Sequence, residues 1–164
     1  ATAAMFLGPD GKPLSFAQAV TSGRSTGVPG VIRMLELAQR EHGRLPWSGL
    51  FSEAERTARD GFIVSPRLAR LVQSFAPRLN APDINVYLRR ADGQWVAAGD
   101  RLRNPAYADF LRRLAAQGSD AMYKGQTAAR IVERTRAGPL GGSMTMADLA
   151  AYRPVKREPL CRPW

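Results

Sequence analysis

Residues 65–75 read SPRLARLVQSF, and this stretch sets the pattern for much of the chain. Ser65 is a favoured helix N-cap, and Pro66 suits the first helical turn, where its missing N–H is not needed. Pro77 limits the helix at the other end. The apolar residues recur at helical spacing and form the predicted buried stripe: Leu68, Leu71, Val72 and Phe75. The stretch therefore predicts an amphipathic helix with a defined start and stop.

Similar signals predict other short helices along the chain. Asn104-Pro105 repeats the cap-plus-proline pattern, and Gly118 ends the helix that it opens. Thr145 with Asp148 three residues later matches a capping box. The other predicted features are a helix over about residues 31–41 with a helical stripe of Ile32, Leu35 and Ala38–Gln39, a helix over about 47–59, a turn over 120–125 capped by Ser119, a helix from about Ala128 towards Gly138, and a flexible link at Gly141-Gly142.

Strand signals are few. Residues 84–88 alternate weakly in polarity and are followed by Asp92-Gly93 and then Trp95-Val96, which predicts one small hairpin. Residues 1–30 look irregular, with a short strand proposed at 20–22. The predicted fold class is mainly α: an irregular multi-helix array with one small β-hairpin, within a single unit over residues 1–164.

Composition excludes several classes of protein. The chain has 164 residues with one Cys and one His, so it can form neither an internal disulfide nor a His-rich metal site. No apolar run approaches the roughly 20 residues of a membrane span. The net charge of +10 raises the alternative of a basic helical nucleic-acid-binding module. However, the arginines are spread along the chain on helical patterns without interleaved aromatics, which favours solvated helix faces.

A search for catalytic groups gives only weak candidates. His42 precedes Gly43 at a helix end, where a solvated imidazole is common. Carboxylates at Glu53, Glu55 and Asp60 have no neighbouring His, and the pair Ser25-Thr26 has no base near it in sequence. Cys161 is interpreted as a residue without a catalytic role. We therefore assign no catalytic, cofactor-binding or metal-binding residue, and we expect no cofactor.

Four groups of motifs, in order, resemble the large subunit of γ-glutamyltransferases. They are SGRSTGVPG at 22–30 with HGRLPW at 42–47; ARDGFIVS at 58–65; NPAYA at 104–108 with MYKG at 122–125; and GGSMT at 141–145 with DLAAY at 148–152 and REPL at 157–160. Each motif alone is weak, but the ordered set covers nearly the whole chain. Small departures are Ala147, where an acidic residue is common, and the final residues 161–164.

The resemblance implies an αββα N-terminal nucleophile hydrolase. Such a protein is made as a precursor, a zymogen that cuts itself into large and small subunits, and it is periplasmic or secreted. The amino-terminal Thr of the small subunit then attacks the γ-glutamyl amide of glutathione, with its own α-amine as base, and water or an acceptor amine resolves the acyl-enzyme. We expect this chain to be an internal fragment of the large subunit that carries scaffold but neither that Thr nor the substrate-binding Arg.

Two expectations concern the isolated chain. It should be inactive, and it should self-associate, because Met5, Phe6, Leu7 and Trp164 have no evident partners in sequence. Its partners in an intact enzyme would be the remainder of the large subunit, the small catalytic subunit and a glutathione-type substrate. Within the same scaffold, a related acylase such as a cephalosporin acylase remains an alternative.

Overall fold

The computed structural model describes residues 2, 4–78 and 81–162. Contacts divide the chain into two compact units, one formed by Ala1–Arg44 with Gln117–Trp164 and the other by Leu45–Ala116. Helices dominate both units. Within the described part of the chain, no helix is long and apolar enough to cross a membrane.

The first unit contains α1 (Phe16–Val20), a 3₁₀ turn (Gly23–Ser25), α2 (Val31–His42), α7 (Asp120–Tyr123), α8 (Gly125–Arg136) and α9 (Met146–Ala151). Its core is a cluster of buried residues: Tyr123, Ala128, Met144 and Leu149. Ile32 of α2 and Tyr152, which follows α9, pack against that cluster. The core therefore joins helices from both ends of the sequence.

The second unit contains a 3₁₀ turn (Trp47–Phe51), α3 (Ser52–Asp60), β1 (Phe62–Ile63), α4 (Pro66–Phe75), a 3₁₀ turn (Ala76–Arg78), α5 (Pro82–Leu88), β2 (Arg101–Leu102) and most of α6 (Pro105–Gln117). Strands β1 and β2 are antiparallel, with Phe62 opposite Leu102. A buried cluster in this unit is formed by Val64, Ala69, Val72, Val96 and Leu102. Helix α6 adds further buried residues: Ala108, Leu111 and Leu114.

Three of the predicted helix caps are confirmed atom by atom. The Ser65 side chain accepts the Leu68 N–H at 3.1 Å, and the Asn104 side chain accepts the Tyr107 N–H at 3.0 Å. Thr145 and Asp148 form the reciprocal bonds of a capping box. These contacts span three residues, so local sequence is sufficient to specify them.

The predicted hairpin is only partly right. Residues 84–88 belong to α5, which opens with Pro82 and has Asp83 in its first turn, so the helix-start signal outweighs the weak alternation. The turn at Asp92-Gly93 does form: Gly93 has φ +79°, and the Val96 N–H bonds to the Leu88 carbonyl at 3.0 Å. The two-stranded sheet itself joins segments that are distant in sequence.

One other local prediction is wrong. Val20 lies in α1 rather than in a strand, because Ser15 and Gln18 form a capping box that opens a helix. The backbone of Met5–Leu7 is bonded, since the Leu14 N–H donates to the Phe6 carbonyl at 2.8 Å and the Arg24 guanidinium donates to the Leu7 carbonyl at 3.0 Å. The Phe6 and Leu7 side chains nevertheless remain 39% and 37% exposed, as the expected self-association requires. Trp164, named with them, lies outside the described residues.

The buried stripes are only half correct. Val72 is buried, but Leu71 and Phe75 on the same helix are 45% and 47% exposed. On the α2 stripe, Ile32 packs on the core and Gln39 is partly buried, whereas Leu35 is 46% exposed and Ala38 is also exposed. The mainly helical fold class, with one small antiparallel strand pair, is nevertheless confirmed.

Candidate functional site

A buried arginine organises the first unit. Arg33, on α2, keeps only 9% of its side chain exposed. Its Nη1 donates to the carbonyl oxygens of Leu149 at 3.4 Å and Ala150 at 3.2 Å, and to that of Tyr152. The last carbonyls of a helix lack intrahelical donors and attract positive charge. Arg33 therefore caps the C-terminal end of α9 from another helix.

Tyr123 lies directly beneath this guanidinium and is fully buried. The Arg33 Cζ atom is 4.2 Å from the centroid of the Tyr123 ring, and the Tyr152 ring stacks parallel to that ring at 6.1 Å. The Tyr123 hydroxyl donates to the Pro29 carbonyl and accepts the Arg33 N–H at 3.4 Å. Burial raises the pKa of the Tyr123 phenol. This tyrosine therefore stays neutral and joins the 22–30 loop to α2.

Glu36, one turn further along α2, binds Ser119. Its carboxylate accepts the Ser119 N–H at 2.7 Å and the Ser119 hydroxyl at 2.6 Å. The prediction that Ser119 caps the following turn is thus wrong for its side chain, which makes no capping bond to α7. Gly118 has φ +69°, and a Cβ there would lie 2.5 Å from Glu36 Oε1. A glycine is needed both for the backbone angle and for the approach of Glu36.

Arg33, Glu36 and Ser119 line an open cleft of about 370 Å³, together with Arg40 and Arg153. Asp120 on its wall is held by Lys124 Nζ at 2.8 Å and lies 3.6 Å from Arg33 Nη2. The hydrogen bond from Lys124, with a further contribution from Arg33, lowers the pKa of Asp120. Arg33, Asp120 and Lys124 are therefore engaged with each other, and Arg153 is bonded to backbone carbonyls. These charged groups do not form a nucleophile–base pair.

The first and fourth motif groups meet at a pair of glycines. A Cβ on Gly142 would lie 2.4 Å from the Gly23 carbonyl oxygen, and a Cβ on Gly23 would lie 1.7 Å from the Thr135 carbonyl oxygen. The Gly142 N–H donates to that same Thr135 carbonyl at 2.7 Å. Gly142 was predicted to be part of a flexible link, but its position is one of close backbone packing.

The weak catalytic candidates are dispersed. The His42 side chain is 79% exposed, with Nε2 3.8 Å from Glu41. The Ser25 hydroxyl donates to the Ser22 carbonyl at 2.9 Å, which engages it in its own turn. Asp60 is paired with Arg59, and the hydrogen bond from that guanidinium lowers the pKa of Asp60.

The remaining catalytic candidates are two glutamates in ion pairs and one cysteine. Glu53 pairs with Arg56, and Glu55 accepts from both Arg59 and Arg112. Cys161 is exposed. Over residues 2, 4–78 and 81–162, no three His, Cys, Asp or Glu side chains are grouped so that they could hold a metal ion.

Sequence reasoning missed Arg33 and Tyr123 as the centre of the first unit. Arg33 follows Ile32 directly and precedes three apolar residues within the next four positions, so a charge buried at this point of α2 could have been suspected. The partners of Arg33 that lie beyond its own helix are 87 to 119 residues away, so no local pattern identifies them.

Comparison with known proteins places these features in a family. A family model described as Gamma-glutamyltranspeptidase matches residues 1–164. Glutathione hydrolase 3 of Arabidopsis thaliana is 37% identical over 130 residues, which is 79% of this chain and 20% of that protein. The glutathione hydrolase proenzyme of Escherichia coli K12 is 33% identical over 161 residues, which is 98% of this chain and 27% of that protein.

Solved structures of similar fold lead to the same family. The γ-glutamyltranspeptidase of Helicobacter pylori superposes with a TM-score of 0.85 at 25% identity, covering 93% of this chain and 43% of that one. A cephalosporin acylase from Bacillus halodurans gives 0.68 at 28% identity, covering 82% of this chain and 27% of that one. The chain spans about a fifth to a quarter of the curated relatives described above. Since the family model extends over every residue, the chain belongs to the γ-glutamyltranspeptidase family.

Proposed function

We propose that this chain is the scaffold portion of a γ-glutamyltransferase, which cleaves the γ-glutamyl amide of glutathione and transfers the acyl group to water or an acceptor amine. The observation that carries the proposal is the family match over all of residues 1–164. The αββα architecture and the Thr-led small subunit belong to the same proposal. So does the precursor that is cleaved into the two subunits.

The geometry supports a scaffold role for the motif residues. Gly61 has φ +87° and ends α3, and Gly23 and Gly142 allow two loops to touch. The Thr145–Asp148 box opens α9, and Arg33 caps its other end. Each of these residues shapes the backbone or fixes the end of a helix. The reacting groups are therefore proposed to come from other segments of the parent protein.

The direct test is turnover of a γ-glutamyl anilide by the full-length parent protein. We expect turnover that disappears when the candidate amino-terminal Thr of the small subunit is changed to Ala, because the nucleophile is then removed. Gly23→Ala in the parent should reduce the yield of active enzyme, whereas Gly27→Ala, with open space around it, should not. A parent that processes and folds but does not turn over the anilide would contradict the proposal.

The isolated 164-residue chain should give no turnover in the same assay, because the proposed reacting groups are not among its motifs. Turnover that survives repurification of the isolated chain would contradict this expectation.

A related amide acylase is the second candidate, and the structural likeness to a cephalosporin acylase favours it. The same parent preparation should be offered a cephalosporin amide beside the γ-glutamyl anilide. Preference for the cephalosporin amide by kcat/KM would select the acylase.

We also propose that nucleic acid is not a partner. Arg56, Arg59 and Arg112 all pair with acidic neighbours, so part of the positive charge is already compensated. Retention on heparin or binding to duplex DNA across a salt series tests this, since phosphate contacts give a steep salt dependence.

Localisation to the periplasm or the medium rests on the family resemblance. Fractionation of source cells with an antibody against this chain tests it, and recovery in the cytoplasm alone would contradict it. Self-association of the isolated chain is likewise proposed, and sedimentation equilibrium over a concentration series measures it.

A further inference from the structure

The open cleft of the first unit carries more positive than negative charge. Its volume of about 370 Å³ lies at the lower end of the range found for small-molecule pockets. Four cationic side chains and two carboxylates line it, which leaves a formal charge of +2: Arg33, Arg40, Lys124 and Arg153, with Glu36 and Asp120. The cleft therefore has the size for a small ligand and the charge for an anion.

Both carboxylates of the cleft are already bound within the protein. Glu36 accepts the N–H and the hydroxyl of Ser119, and Asp120 accepts from Lys124 Nζ at 2.8 Å. In the part of the chain that the structure describes, neither carboxylate pairs with the two arginines of the cleft that lie outside these contacts. The acidic side chains therefore do not compensate those two guanidinium groups directly.

These two arginines, Arg40 and Arg153, keep hydrogen-bond donors that the protein does not use. Arg153 Nη1 donates to the carbonyls of Ala150 at 2.8 Å and Tyr152 at 2.7 Å, which leaves its Nε and Nη2 without a bond to any described residue. Arg40 forms neither a hydrogen bond nor an ion pair with a described residue. Since a guanidinium carries five N–H donors, both side chains have several to offer a ligand.

Arg33 adds a buried cation to the same cleft. Only 9% of its side chain is exposed, and its Nη1 is fixed by the carbonyls at the end of α9. Its Nη2 lies 3.6 Å from Asp120 Oδ1, which is longer than a normal hydrogen bond. Salt screens a buried charge less than an exposed one. Arg33 therefore gives the cleft a positive charge that is fixed in place before any ligand binds.

We propose that this cleft binds a small oxyanion, the carboxylate or phosphate group of a small molecule, through Arg40 and Arg153. The planar fork of a guanidinium matches two oxygens of either group. Leu37 and Pro154 complete the lining with apolar surface, which suits the short hydrocarbon part of an organic acid. The site is independent of the proposed γ-glutamyl chemistry, because the cleft holds no nucleophile–base pair.

Isothermal titration calorimetry on the full-length parent tests the proposal. The probes are inorganic phosphate and succinate, each titrated at constant ionic strength with chloride as the balancing anion. We expect at least one probe to bind at a saturable site with a Kd on the order of 1 mM. Arg40→Gln and Arg153→Gln should each raise that Kd at least about tenfold, because each removes charge-assisted hydrogen bonds to the oxyanion.

Arg130→Gln is the matched control, since it removes the same charge from an exposed position on α8 that does not line the cleft. Its Kd should stay within about twofold of that of the unchanged parent, because an exposed charge outside the cleft is largely screened. Circular dichroism confirms that each variant folds. Arg40→Gln keeps the test valid if Arg153→Gln disturbs the end of α9, because Arg40 has no bond to a described residue that the substitution would break.

Each outcome supports or overturns the proposal. Weaker binding of succinate alone in the cleft variants identifies an organic acid, and weaker binding of phosphate alone identifies a phosphate; either result supports it. No saturable binding of either probe overturns it, and this includes a cleft that an acidic side chain of the parent already fills. Equal weakening in Arg130→Gln would show only general attraction by charge. An unchanged Kd in both cleft variants would place the anion elsewhere, and both of these results also overturn the proposal.

Discussion

The glycine pair at the contact between the first and fourth motif groups gives a sharp prediction. In Gly23→Ala the new methyl group would lie 1.7 Å from the Thr135 carbonyl oxygen and 2.9 Å from the Gly142 nitrogen. These neighbours are backbone atoms, so no side-chain rotation relieves the clash. The Gly142–Thr135 hydrogen bond of 2.7 Å would have to lengthen or break as the loops separate.

The expected cost follows from overpacking and the lost hydrogen bond. Inserting a methyl group where the structure cannot relax typically costs 1–3 kcal/mol, and a hydrogen bond contributes about 1 kcal/mol more, so we expect a loss of about 3 kcal/mol. With a urea m-value of about 2 kcal/mol/M, the unfolding midpoint should fall by about 1.5 M. Far-UV circular dichroism during urea titration of residues 1–164 measures it.

Gly27→Ala is the matched control, since Gly27 belongs to the same loop and has no heavy atom within 4 Å of the new methyl group. There the substitution should be neutral or stabilise by about 0.5 kcal/mol, because alanine restricts the unfolded chain more than glycine does. Equal midpoints for Gly23→Ala and Gly27→Ala, with equal m-values, would refute the account of the glycine contact.

Three further predictions follow from individual contacts, each checked by urea unfolding. Arg33→Met should destabilise the chain by about 3 kcal/mol, because the buried carbonyls of α9 lose their donor. Arg130→Met, at an exposed position, should change stability by less than about 0.5 kcal/mol. Similar losses of stability in the two variants would exclude the capping role of Arg33. Thr145→Ala should cost about 1 kcal/mol through loss of the N-cap, and Ser143→Ala should be near neutral, so a neutral Thr145→Ala would contradict the capping box. Burial raises the pKa of Tyr123, so its contribution to stability is full below the unfolded phenol pKa of about 10 and is lost as pH rises through the higher folded pKa. Tyr123→Phe should therefore flatten the alkaline decline in the free energy of unfolding. An unchanged dependence of that free energy on pH would argue against this role of Tyr123.

Local sequence predicted features whose energetics are local. The Ser65, Asn104 and Thr145 caps each bond to an N–H three residues away, so residue type and spacing suffice. Local reasoning failed at residues 84–88, where a helix-start signal at Pro82 competed with weak alternation and prevailed. It also gave no pairing partner for Phe62–Ile63, because the partner strand lies about 40 residues away.

The sequence by itself determined the helical class, most helix ends and, through its ordered motifs, the family. The tertiary structure alone decided which residues of α2 are buried. Periodicity placed Leu35 and Ala38 on one stripe with Ile32, yet the long-range bonds of Arg33 and Glu36 turn these two polar residues inward beside Ile32 and leave Leu35 and Ala38 exposed. The physical reason is that a buried polar group must satisfy its hydrogen bonds, and its partners here are chosen by chain topology across roughly a hundred residues.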